Sequence, residues 1–150
     1  MNALLVIDVQ KGYMEGYKAE LLTLVNERIL EAKKTGELIV YVMNVRRQKG
    51  ERVVNEPANG LLVLSENFVY KERASVFSDE EFVLFLERNS VSEIEFIGID
   101  GCCCVASSAI AARERGLKAG LCCRYIGVKT EARFEKKKAL LKKAGVTVTE

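Results

Sequence analysis

Short, almost wholly apolar runs recur along this chain, and most are followed by a stretch with helical spacing. "ALLVIDV" (3–9) and "ELIVYVMN" (37–44) are too continuous for strands with one wet face and too short for helices. They read as strands covered on both sides, the habit of a parallel sheet. Between them Leu21, Leu22, Val25, Ile29 and Ala32 recur at helical spacing, with Gly36 as a natural stop. A third strand is expected around "NFVYK" (67–71), a fourth in "SEIEFIGI" (92–99), a fifth in "LKAGLCCRYIGV" (117–128) and a last in "VTVTE" (146–150). Ser78 as N-cap, with acidic residues behind it, predicts a helix over 78–90. Val105, Ala109 and Ala112 mark another, and Phe134, Leu141 and Ala144 a last one ending at Gly145. Residues 45–60, with the sole proline Pro57, read as a loop.

This alternation predicts an α/β fold: a three-layer sandwich with a six-stranded, mainly parallel sheet flanked by helices and joined by right-handed connections. With 150 residues and no linker-like tract, residues 1–150 are expected to form a single domain.

Composition narrows the function classes. Lysine plus arginine outnumber aspartate plus glutamate by only 23 to 21, so no nucleic-acid partner is expected. The apolar runs are far too short to span a bilayer, and no signal-peptide pattern opens the chain. A cytoplasmic protein is expected, with its five cysteines reduced.

In an open parallel sheet, ligands bind beyond the carboxyl ends of the strands. Asp8 lies at the end of the first strand and Lys71 at the end of the third, while the fourth leads into Cys102, Cys103 and Cys104. The chain has no histidine, the usual base for a cysteine nucleophile. A carboxylate can take a thiol proton instead, an ammonium can steady both anions, and a helix start favours a thiolate.

Taken singly, each residue also has a plainer reading. Asp8 could cap a turn, and Lys71 could be a solvated strand-end charge. Cys102, Cys103, Cys122 and Cys123 read as small buried apolar side chains, the last two pointing to opposite faces of one strand. Arg46 and Arg47 could grip a substrate carboxylate or simply lie in a solvated loop. The lysines at 136–138, 142 and 143 read as the wet face of the last helix.

Three segments together carry a resemblance. "LLVIDVQKGYM", "VYKERASVF" and "FIGIDGCCCVASSAIAARERG" resemble, in order, the signature segments of the isochorismatase-like cysteine hydrolase superfamily, which includes nicotinamidases and N-carbamoylsarcosine amidohydrolase-like enzymes. The resemblance implies an Asp-Lys-Cys triad that falls on Asp8, Lys71 and Cys104. It implies an oxyanion hole from the backbone N–H groups of Asp100 and Cys104, with a cis peptide just before Asp100. Gln10 and Tyr13 carry over as substrate-binding positions. The implied reaction cleaves a C–N bond of a small amide or carbamoyl compound through a thioester. A homo-oligomer is implied as well.

Nicotinamidases hold a metal with histidines after the second strand, and this chain has none, so neither metal nor cofactor is expected. Asp100 puts a side chain where the family frequently has a small residue. The competing reading is a catalytically inactive oligomeric binding or scaffold protein that retains the fold.

Overall fold

The computed structural model describes residues 1–150. β1 (Asn2–Ile7) is buried from Ala3 onward, and it sits at the centre of the sheet because both its faces are apolar. It pairs in parallel with β2 (Leu38–Gln48) on one edge and β5 (Glu93–Ile99) on the other. Outside β2 lies β4 (Phe68–Lys71), and outside β5 lie β6 (Lys118–Cys122) and then β8 (Thr147–Thr149), all parallel.

Those are the six strands expected from the apolar runs. Two short ones join them, making eight. β3 (Glu51–Val54) pairs antiparallel with the far end of β2, so residues 45–54 form a hairpin rather than a loop. Its turn rests on Lys49 and Gly50, both with positive φ (52° and 80°), as the tightest hairpins require. The expected fifth strand is broken as well. The chain leaves β6 at Cys122, makes one 3-10 turn over Cys123–Tyr125, and rejoins β5 as β7 (Ile126–Gly127). Cys122 and Cys123 therefore do not face each other across one strand.

Helices cover both faces. α1 (Leu21–Thr35) lays Leu21, Val25, Ile29 and Ala32 against Leu4, Val6, Ile39, Tyr41 and Ile97, and ends at Gly36 in the left-handed region (φ 75°). On the opposite face α2 (Glu80–Arg88), α3 (Cys104–Glu114) and α4 (Glu131–Lys143) bury Phe82, Val105, Ala109, Phe134 and Leu141 against Leu5, Ile7, Val42, Ile94 and Phe96. The cap of α2 is Asp79, whose carboxylate accepts from Glu81 N–H, and not Ser78, which closes the preceding 3-10 turn. No helix is long and apolar enough to cross a membrane.

The strand order runs β4-β2-β1-β5-β6-β8 along the parallel sheet. From β1 the chain passes to β2 on one side, and from β5 to β6 on the other, so β1 and β5 flank the point where the winding reverses. At Gly98 φ is +112°, and a Cβ there would stand 2.3 Å from Ile7 O. Glycine alone lets β5 close on the end of β1 where that crevice opens.

Candidate active site

Asp8 follows β1 in the left-handed region (φ 56°), a conformation that aspartate tolerates better than most residues. Its backbone N–H donates to Val42 O of β2. Lys71 ends β4, and β2 separates it from β1, two strand spacings or about 9.5 Å away. Only a long side chain can cross that gap. Lys71 does so beneath the surface, with 1% of its area exposed, and Asp8 is 5% exposed.

The ammonium of Lys71 is spent on three acceptors. Nζ donates to Asp8 Oδ2 at 3.1 Å, to Asn44 Oδ1 at 3.2 Å and to Cys104 Sγ at 3.3 Å. Asn44, on β2 directly beside Lys71 in the sheet register, therefore belongs to the cluster. Its only signal in the sequence was a lone polar residue at the carboxyl end of a buried apolar run. Asp8 Oδ1 is buried and has no hydrogen-bond partner within the protein.

Cys104 opens α3. The N–H groups of Gly101, Cys102, Cys103 and Val105 are all engaged, with Gly127 O, Asp100 Oδ1, Asp100 O and Asp100 O respectively. Those of Asp100 and Cys104 take no part in these turn and cap bonds. The peptide between Ile99 and Asp100 is cis, as the resemblance implied.

The protonation states differ from a simple helix-start argument. Burial pushes the Cys104 thiol up to about 11; the Asp8 carboxylate adds to the rise and Lys71 opposes it. Burial likewise raises Asp8, against the pull of Lys71 and the neighbouring thiol. At neutral pH the resting sulfur is thus a thiol. Desolvation outweighs the macrodipole here because the dipole adds only a fractional charge, screened beyond the first turn.

A cavity of about 590 Å³ opens over Asp8 and Cys104, walled by Tyr13, Tyr17, Asp100 and Lys129 among others. Tyr13 lines it, its hydroxyl accepting from Asn44 Nδ2 at 3.4 Å. Gln10 does not. It is fully buried, donating through Nε2 to Asn44 O and Asn55 O and accepting through Oε1 from Asn44 N–H. Its amide ties the loop after β1 to Asn44 of β2 and to Asn55, the place of a brace. Arg46 and Arg47 do not line the cavity either. Arg46 bonds Gln48 and Asn55, and Arg47 pairs with Glu72. Cys103 is exposed and lines the cavity beside Cys104, whereas Cys102 packs against the core.

Comparison with known proteins gives one family. Residues 2–122 match the isochorismatase domain model. No curated protein sequence matches the chain. Among solved structures, an isochorismatase family protein from Desulfovibrio vulgaris superposes with a TM-score of 0.86 at 19% identity, covering 99% of this chain and 93% of that one. N-carbamoylsarcosine amidase from Thermoplasma acidophilum gives 0.82 at 17%, covering 99% and 95%. Pyrazinamidase of Pyrococcus horikoshii, in complex with zinc, gives 0.77 at 22%, covering 99% and 98%. The residues here do not suit such an ion. The chain has no histidine, and no three cysteine, aspartate or glutamate side chains converge as a ligand set.

Proposed function

The chain belongs to the isochorismatase family, and from that premise we propose that it is a metal-independent cysteine hydrolase cleaving the C–N bond of a small amide or carbamoyl compound. The observation that carries the reading is the buried Lys71 ammonium bonded to both Asp8 and Cys104, two residues that line the cavity.

Asp8 is the general base. Its free Oδ1 takes the thiol proton, and the Cys104 sulfur attacks the substrate carbonyl carbon. A carboxylate raised toward neutrality by burial is the better base for that step. The oxygen of the tetrahedral intermediate accepts from the N–H groups of Asp100 and Cys104, each such donor being worth about 100- to 1,000-fold in rate. Collapse breaks the C–N bond as Asp8 returns its proton to the leaving nitrogen. Water, deprotonated by Asp8, then cleaves the thioester, releasing the acid and restoring the thiol. Lys71, bonded to Asp8, Asn44 and Cys104, offsets whichever neighbour is anionic.

The test is ammonia or amine release from a panel of small amides and N-carbamoyl compounds, with mass spectrometry of the trapped acyl-enzyme. Cys104→Ala should abolish release and acylation while leaving the circular dichroism spectrum unchanged. A variant that keeps the wild-type rate would overturn the mechanism. A folded wild-type protein that is inert across the panel would favour the scaffold reading. Homo-oligomerisation belongs to the same reading and is read out by analytical ultracentrifugation.

A further inference from the structure

Resting on the hydrolase reading above, we propose that Asp100 sets the charge of the substrate: the site takes uncharged or cationic amides and carbamoyl compounds and excludes carboxylate-bearing ones.

The cavity wall carries three carboxylates, Asp8, Glu15 and Asp100, and one cation, Lys129. Lys71 beneath it has no donor to spare, since its three N–H groups serve Asp8, Asn44 and Cys104. Lys129 lies with Nζ 5.4 Å from the centre of the Tyr17 ring, and its backbone N–H donates to Asp100 Oδ2 at 3.3 Å. Its ammonium is not ion-paired with any of the three carboxylates, so the wall sets one cation against three anions. No arginine lines the cavity. An incoming carboxylate would meet three anions against the single cation Lys129, a net repulsive wall.

Asp100 is held too firmly to swing away. Oδ1 accepts from Cys102 N–H at 2.7 Å, and Oδ2 accepts from the Tyr17 hydroxyl at 3.1 Å and from Lys129 N–H. The residue whose backbone N–H is assigned to the reacting oxygen thus keeps a fixed carboxylate at the cavity edge. The N–H₂ of a neutral amide or urea can donate to such a wall, whereas a second carboxylate is repelled. Specificity of this kind comes from a repulsive element built against the wrong ligand.

Paired alkylating agents read the charge without requiring turnover. Intact protein is treated at alkaline pH and low ionic strength with iodoacetamide, which is neutral, or iodoacetate, which is anionic, and Cys104 modification is followed by peptide mass spectrometry. Relative to N-acetylcysteine, the iodoacetate-to-iodoacetamide rate ratio at Cys104 should be about tenfold lower in the wild type, and high salt should shrink the difference. Asp100→Asn should restore the ratio, and Lys129→Gln, on the exposed side of the wall, should lower it further. An unchanged ratio in Asp100→Asn, or a wild-type ratio at the reference, overturns the proposal. If Asp100→Asn does not fold, Lys129→Gln and the salt dependence decide it. The two readings fail separately. The expected ratios without turnover of any amide would leave the charge selection standing and remove the hydrolase. Hydrolysis of an N-carbamoyl amino acid as fast as its neutral amide would do the reverse.

Discussion

Lys71 Nζ lies 3.1 Å from Asp8 Oδ2 although the two residues end strands that have a third strand between them. The contact is made over Asn44 of that middle strand, which accepts the same ammonium. One buried cation therefore connects the ends of β4 and β1, by way of Asn44 within β2, to the start of α3.

Removing that cation should cost stability as well as chemistry. Lys71→Met leaves the Asp8 carboxylate buried and unpaired, and breaking a buried pair from one side costs about 3 to 5 kcal/mol. Urea unfolding should show this loss. The double variant Asp8→Asn with Lys71→Met should recover part of it, because the two effects are coupled. Strict additivity of the two single losses would contradict the pairing.

The pH dependence of Cys104 alkylation should be displaced upward. With the thiol pushed up to about 11, its rate should still be climbing where an ordinary thiol, with a pKa of about 8.5, has levelled off. Asp8→Asn removes an anion that raises the thiol, so the inflection should move down, and neutral-pH alkylation should quicken while turnover is lost. The sign for stability follows from the same shift. The native state holds this proton more tightly than the unfolded chain does. The contribution is complete below the ordinary thiol value and is lost as pH rises toward 11. Iodoacetamide kinetics over a pH series, with urea midpoints alongside, check both statements.

Asn44→Leu should slow turnover about tenfold and cost about 1 to 2 kcal/mol, since it leaves a buried ammonium one acceptor short and frees the Tyr13 hydroxyl. If Asn44 only filled space, the near-isosteric leucine would be neutral in kcat. Steady-state kinetics on whichever amide the panel identifies separate these outcomes.

Gly98→Ala should be among the most damaging substitutions in the molecule. The new Cβ would meet backbone atoms of Ile7 rather than a yielding side chain, and at a φ that L-residues avoid. A loss of about 3 kcal/mol or more is expected, beyond the usual range for overpacking, and would appear in thermal melts. A variant as stable as the wild type would mean that β1 and β5 can separate at this point.

The amino-acid sequence by itself determined the order of the six main parallel strands and of the helices, the stops at Gly36 and near Gly145, and the position of Cys104 at a helix start. Those features are local, written in short continuous apolar runs, in the 3.6-residue period of the helices and in the torsional freedom of glycine. It also placed Asp8 and Lys71 at strand ends on the same edge as Cys104, though not in contact. Tertiary structure alone decided that Lys71 crosses over Asn44 to reach Asp8, and that Gln10 turns inward as a brace. It also decided that burial lifts the thiol, and that Tyr17 and Lys129 pin the Asp100 carboxylate. Each of these depends on residues about 30 or more positions apart, brought together by strand order and register. The energy of a buried charge is set by the neighbours that folding supplies, and no local pattern in the chain encodes them.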